Sequence, residues 1–354
     1  MKTLAAILVE TGRPLELADL ELPVLKSGQV LVKIGYSGVC HTQLLEAAGH
    51  RGVDNYLPHC LGHEASGEVL EIGPDVNKCN QGDRVILTWM RGSGADVPGT
   101  VYRWKGRSVN AGGVTTFQEH AVVSENRLVS LPDQVGGAEG ALMGCAVPTG
   151  FGAVWNSAAA QTGMSIAVFG VGGIGCAAVG AAAALDADPL IAVDVKDARL
   201  RLAETFGASN LINAMRDDPL ERARELCPSG LDLAIEATGR PEVMQQALAA
   251  VRPRGGTVVI IGNAKHGERL QLDPMEFNQG KRLIGTWGGD NDPDRDFVRY
   301  CQLLIDGQLD LKPLIPKTYR LREINQALED LEQGTVPRPI VRMRNAECGM
   351  GSGK

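Results

Sequence analysis

The sequence predicts an α/β chain in two parts: a β-rich part with a partly closed barrel, then a doubly wound parallel sheet. Three observations predict it. Up to about residue 145, short apolar segments are broken by frequent Gly and Pro, the spacing of barrel strands. From about Gly150, strand-like and helix-like segments alternate, which predicts parallel pairing through right-handed crossovers. At the head of that alternation Gly170-Val171-Gly172-Gly173-Ile174-Gly175 follows an apolar run and precedes an Ala-rich one.

The elements follow in order. The apolar run 4–9 meets Glu10 too soon for a secretory leader and reads as an opening strand. Residues 30–34 alternate, 67–73 form a strand with a turn, and 82–87 repeat the turn-then-strand form. In the second part, strand 166–169 leads to a helix from about Gly173, and strand 190–195 to helix 198–206. Strand 231–235 leads to helix 244–251, and strand 257–261 is expected to close the series. Helices 296–309 and 323–333 follow, then strand 339–343 and a Gly/Ser-rich tail, 345–354, that reads as loose. No internal repeat is evident.

At 354 residues the chain is long enough for two domains, each with its own core. With 22% charged and 44% hydrophobic residues the composition is that of a soluble globular protein. A net charge of −7 with no Lys/Arg block argues against nucleic acid as a partner. Residues 140–185 hold no Asp, Glu, Lys or Arg, but Gly, Ala and Pro148 break them up, so no membrane span is expected. Eight cysteines are scattered without a CxxC pair, which excludes a zinc ribbon and fits a reducing, cytoplasmic compartment.

The glycine turn sits where a Rossmann dinucleotide site needs it. Gly170, Gly172, Gly173 and Gly175 let the backbone turn sharply and approach a pyrophosphate, which the helix N-terminus then faces. About 20 residues on, Asp194 ends the second strand, where a carboxylate accepts from ribose hydroxyls and repels a 2′-phosphate. NAD is therefore expected over NADP. Lys196 and Arg199, just beyond, fit the adenosine side of the cofactor and equally fit solvated surface charge.

Three distant stretches, Gly38-Val39-Cys40-His41-Thr42, Gly62-His63-Glu64 and Gly144-Cys145, offer two thiolates and one imidazole. Such a set holds tetrahedral zinc with one position open to a substrate oxygen. Taken singly, Cys40 and Cys145 also read as small buried hydrophobes and His63 as a core histidine.

The context is more specific than the single residues. Val39-Cys40-His41-Thr42, Gly62-His63-Glu64 with Gly67-x5-Gly73 and Gly82-Asp83-x-Val85, and Gly144-Cys145-x3-Thr149-Gly150 resemble the zinc-dependent alcohol dehydrogenases of the medium-chain dehydrogenase/reductase superfamily. The resemblance runs from about Lys2 to Met343. Later segments, Gly99-Thr100…Arg103-Trp104-Lys105-Gly106-Arg107 and Asp273-Pro274-Met275, look most like the liver alcohol dehydrogenase and glutathione-dependent formaldehyde dehydrogenase line.

That resemblance implies a GroES-like catalytic domain over 1–146 and 287–354, and a Rossmann domain over 147–286. It implies Cys40, His63 and Cys145 as zinc ligands, with Glu64 behind the metal and Thr42 relaying the proton. His41 and Arg338 match positions that contact the pyrophosphate, while Thr149 and Ile174 match positions against the nicotinamide. Trp89 and Trp287 match pocket walls. A homo-oligomer is implied, dimer before tetramer, with 271–284 as a candidate contact.

Three positions depart from the pattern. Loop 90–99 holds none of the four cysteines of a second, structural zinc, so one zinc per chain is expected. Gln43 replaces the usual Asp that orients the ligating histidine, and its amide oxygen is expected still to accept from His63 without adding negative charge. Leu45 replaces a histidine that ends the proton path in many relatives, leaving ribose hydroxyls, water or His41 as the exit.

The expected activity is hydride transfer between an alcohol and a carbonyl. Glutathione-dependent formaldehyde oxidation and polyol or cyclitol oxidation are alternatives, and Asn263 either meets a hydroxylated substrate or caps a turn. A zinc-free reductase would need no Cys40, His63 and Cys145 set, and a non-enzymatic dinucleotide-binding protein would need no Thr42. Cys60 reads as a core residue despite standing near His63. The acidic stretch Asp290, Asn291, Asp292 and Asp294 reads as a solvated loop and helix start.

Overall fold

A computed structural model describes residues 1–344. The tail 345–354, with Cys348 in it, lies outside the described residues. The chain divides into two compact units: Met1–Cys145 with Asp292 onward, and Ala146–Asn291.

In the first unit Lys2–Leu8, Glu16–Glu21, Val101–Trp104, Arg107–Asn110 and His59–Cys60 close into a barrel. Alternate residues Ala5 and Ile7 turn inward onto Leu20, Tyr102 and Val109. A second sheet runs Leu128–Ser130, Arg84–Thr88, Glu64–Ile72, Gln29–Gly38, Ile340–Arg342, Thr318–Arg320, with His120–Ser124 also paired to Gln29–Gly38. Its core is Val30, Val32 and Ile34 against Ala65, Val69, Val85 and Leu87. Register shifts at Leu31/Val32 and Ile34/Tyr36 kink the long strand, a device that increases local twist. Ser37 ends up opposite Ala65, which places Gly38 beside Glu64.

The second unit is a parallel sheet in the order Asn210–Asn213, Leu190–Asp194, Ile166–Phe169, Leu233–Glu236, Thr257–Ile260, Arg282–Gly285. Numbered within the unit this is 3-2-1-4-5-6, the Rossmann order, with its reversal at the end of Ile166–Phe169. All four residues of that strand are buried, as expected where both sheet faces are covered. The sheet does not close at 257–261 as the sequence pattern suggests. Arg282–Gly285 adds a further edge strand, half-exposed and only two apolar residues long, too weak a signal to read. Asn210–Asn213 and helix Pro219–Leu226 are two further elements that the sequence pattern did not give. The first is flanked by polar Asn, and the second starts on its cap Asp218 rather than on an apolar stripe.

The uncharged stretch 140–185 resolves into helix Ala146–Gly152, strand Ile166–Phe169 and helix Gly173–Ala183. No helix among the described residues is long and apolar enough to cross a membrane.

Candidate functional site

Three chain reversals in the first unit bring the cysteines and histidine together. Cys40 lies two residues past strand Gln29–Gly38 and caps helix His41–Ala47, His63 immediately precedes strand Glu64–Ile72, and Cys145 follows helix Gly137–Leu142. Gly38 is needed here because a Cβ would stand 2.5 Å from the Glu64 carboxylate. One ligand atom each from Cys40, His63 and Cys145 lie within 4.8 Å of one another. His63 Nε2 and Cys145 Sγ are 3.3 Å apart. Ordinary Zn–S and Zn–N lengths put tetrahedral donors roughly 3.5–3.8 Å apart, so this donor set fits a zinc ion with small adjustment.

The electrostatics favour a cation. A hydrogen bond from Cys145 holds the Cys40 thiol well below the usual range, and the Arg338 charge lowers it further. The Cys145 thiol is pushed up in turn by that neighbour. A metal dication would remove this opposition by stabilising both thiolates.

Behind the cysteines, Arg338 Nη2 donates to Glu64 Oε1, both side chains being buried. Burial opposes the guanidinium charge, and Glu64 with the cysteines restores it. Arg338 Nε is buried without a hydrogen-bond partner, as is Thr149 Oγ1 in the second unit.

Gln43 is buried on the same helix turn, its Oε1 accepting from the Cys40 N–H at 2.9 Å and its Nε2 lying 2.6 Å from His63 Nδ1. The amide oxygen expected to accept from His63 is taken by Cys40 instead and the nitrogen faces His63, an orientation that the N-cap to N3 spacing of a capping box explains. Thr42 Oγ1 lies 3.7 Å from Cys40 Sγ. His41 is exposed at the helix start, and Leu45 is buried. A cavity of ≈ 670 Å³ opens on Gln43 and His63, its walls including Glu46, Arg51, Asp54 and His59. Asp54 and His59 pair across it at 2.8 Å.

In the second unit Gly172 caps helix Gly173–Ala183, whose N-terminus opens from the glycine turn. Gly175 allows the tight approach of helix to strand: a Cβ would stand 2.0 Å from Gly170 O. Asp194 is buried, accepting from Val171 N at 3.0 Å and from Lys196 N at 3.0 Å. Arg199 Nη1 lies 3.6 Å from Asp194 Oδ2, so this cation leans on the carboxylate. Ile174 is half-buried on the first helical turn.

Trp89 is half-buried in the first unit, its carbonyl accepting from Arg127, whereas Trp287 of the second unit is 78% exposed. Cys60 is a buried strand residue whose thiol burial pushes up to about 12. In the acidic stretch, Asp292 caps helix Pro293–Ile305, while Asp294 accepts from Ser93 N and pairs with Lys78. Loop 90–99 is further held by Glu125, which accepts from the N–H groups of Ala95, Asn77 and Lys78.

Comparison with known proteins agrees with the geometry. Residues 26–133 match the alcohol dehydrogenase GroES-like domain, and 173–305 match the zinc-binding dehydrogenase family. S-(hydroxymethyl)glutathione dehydrogenases of Synechocystis sp. and Photobacterium damsela subsp. piscicida are each 32% identical over 96% of this chain and 100% of theirs. Among solved structures, an alcohol dehydrogenase zinc-binding domain protein from Burkholderia ambifaria has TM-score 0.89 at 31% identity, covering 97% and 99% of the two chains. Benzyl alcohol dehydrogenase from Acinetobacter calcoaceticus has TM-score 0.88 at 28% identity over the same shares. The fold and site define a zinc-type oxidoreductase. Within that class the chain belongs to the zinc-dependent alcohol dehydrogenases of the medium-chain dehydrogenase/reductase superfamily.

Proposed function

We propose that this chain is a cytoplasmic, NAD-linked alcohol dehydrogenase with one catalytic zinc, in which the first unit holds metal and substrate and the second holds the coenzyme. The observation that carries the reading is the convergence of the Cys40, His63 and Cys145 ligand atoms within 4.8 Å. Zinc, when bound, supplies a Lewis acid that polarises the carbon–oxygen bond and lowers the pKa of an alcohol hydroxyl. The thiolates of Cys40 and Cys145 and the imidazole of His63 would hold the ion.

Thr42 Oγ1, beside Cys40, takes the hydroxyl proton and passes it on, since a hydroxyl both donates and accepts. Buried Leu45 has no proton to exchange, so the exposed His41 or water completes the exit. Glu64 fixes Arg338, whose remaining Nε–H is available to a coenzyme phosphate. Asp194, its oxygens already drawn to Val171 and Lys196 amides, disfavours a 2′-phosphate and supports NAD over NADP. His41, Thr149, Ile174, Lys196 and Arg199 complete the proposed coenzyme contacts.

The relatives named for S-(hydroxymethyl)glutathione keep that adduct as a second substrate reading beside simple primary alcohols. A homodimer is the preferred assembly. Helix Pro274–Asn278 carries no buried residue, and Met275 and Phe277 stand 55% and 43% exposed in the segment proposed as the contact.

The test is reduced-nicotinamide absorbance with primary and secondary alcohols, aldehydes, polyols, and formaldehyde with glutathione, each with NAD and NADP. NAD-linked turnover of simple alcohols supports the main reading. Turnover of the glutathione adduct alone supports the second. Full activity after zinc has been stripped, verified by metal analysis, refutes the zinc mechanism.

A further inference from the structure

The buried amide of Gln43 sets the hydrogen-bond polarity beside the candidate metal ligands. A continuous chain of contacts runs through it. Cys40 N–H donates to Gln43 Oε1 at 2.9 Å, Gln43 Nε2 meets His63 Nδ1 at 2.6 Å, and His63 Nε2 meets Cys145 Sγ at 3.3 Å.

An amide has one acceptor atom and one donor nitrogen. The backbone N–H of Cys40 can only donate, so it claims Oε1. The NH2 of Gln43 is thereby turned towards His63, whose Nδ1 must accept. The one ring hydrogen of a neutral imidazole then sits on Nε2, aimed at Cys145 Sγ. Every donor has an acceptor in this arrangement.

A metal bound by His63 would reverse that polarity. Nε2 is the ring nitrogen beside Cys145 Sγ, so a neutral His63 ligating through it would carry its hydrogen on Nδ1, directed at the NH2 of Gln43. Two donors would meet at a contact now 2.6 Å long. If the amide turns over to serve His63, its NH2 faces the Cys40 N–H instead. Gln43 is 1% exposed, so water does not stand in for the missing acceptor. A carboxylate would have an oxygen for each N–H.

We propose that Gln43 is a positioning residue that stabilises the metal-free arrangement and so makes the bound zinc exchangeable, and that a carboxylate here would lock it in. This rests on Cys40, His63 and Cys145 being the metal ligands. Partners of metal-bound histidines typically change affinity about 10- to 100-fold when replaced, and that range is the expected size here.

The experiment compares the full-length protein with Gln43→Glu in zinc competition against a chromophoric chelator, reading both affinity and release rate. Gln43→Glu is expected to hold zinc about 10- to 100-fold more tightly and to release it correspondingly more slowly. Equal or weaker binding by a variant with native circular dichroism overturns the inference alone. Failure of the parent protein to bind stoichiometric zinc overturns the ligand assignment and this inference with it. Should Gln43→Glu not fold, nitrogen NMR of the parent protein decides. His63 Nδ1 is expected to be hydrogen-free without zinc, and the Gln43 side-chain amide to shift strongly on loading. A hydrogen on Nδ1 in both states with an unmoved amide overturns the inference.

Discussion

Arg338 reaches across 274 residues of sequence to donate to Glu64, and neither side chain touches solvent appreciably. Removing one partner of such a pair strands a buried charge. Arg338→Met is therefore expected to destabilise the protein by about 3–5 kcal/mol, read by urea unfolding. The double variant Arg338→Met with Glu64→Gln is expected to recover much of that loss. Equal destabilisation in single and double variants would show that packing, not charge, sets the cost.

Thr42 is the group beside Cys40 through which the substrate proton is proposed to leave. Thr42→Ala is expected to lower kcat by roughly 10²- to 10⁴-fold and to shift its pH profile, with zinc content unchanged. Thr42→Ser keeps the hydroxyl and is expected to restore most of the rate. An unaltered pH profile in Thr42→Ala would refute the relay.

Asp194 accepts from the backbone of the glycine turn and stands at the end of the second parallel strand. Asp194→Ser removes the charge proposed to disfavour a 2′-phosphate while retaining a hydroxyl. We expect KM for NAD to rise about 10- to 100-fold, the weight of one charge-assisted hydrogen bond, and NADP turnover to gain relative to NAD. Unchanged coenzyme preference would place the selection elsewhere.

Acid stability has identifiable contributors at the surface. A hydrogen bond with Arg216 draws Asp197 from its ordinary 3.8 to about 2, and one with Tyr319 draws Asp330 from 3.8 to about 2. Their folded pKa values are depressed, so the unfolded chain takes up protons first as pH falls. The contribution is fully present above about pH 4 and is lost on descending towards pH 2. Asp330→Asn is expected to flatten the acid limb of Tm against pH, and raised salt to do so in the parent protein.

Much of this architecture was legible because the signals are local. Ile166–Phe169 with its glycine turn needs only neighbours in sequence, and the ligand triad stands in short stretches with recognisable flanks. What escaped was decided at a distance. Nothing near Arg338 announces Glu64, and edge strand Arg282–Gly285 is held by its ladder to Thr257–Ile260 rather than by its own apolarity. Gln43 lay between these cases. Its link to His63 was foreseen from the resemblance, whereas its hold on Cys40 emerged only with the helix cap.

Loop 90–99 shows how the first unit orders a segment that carries no cysteine. Glu125, 4% exposed, gathers the N–H groups of Ala95, Asn77 and Lys78, and Asp294 accepts from Ser93 while pairing with Lys78. Two carboxylates thus tie the loop to the sheet and to helix Pro293–Ile305. Glu125→Ala strands three backbone donors, those of Ala95, Asn77 and Lys78, so the expected loss is on the order of 3 kcal/mol. Because zinc ligation lies elsewhere in the unit, metal affinity should hold while the unfolding midpoint falls and amides 92–97 exchange faster. Loss of zinc at native stability would mean that the loop serves the metal, and an unchanged midpoint would mean that Glu125 does not anchor it.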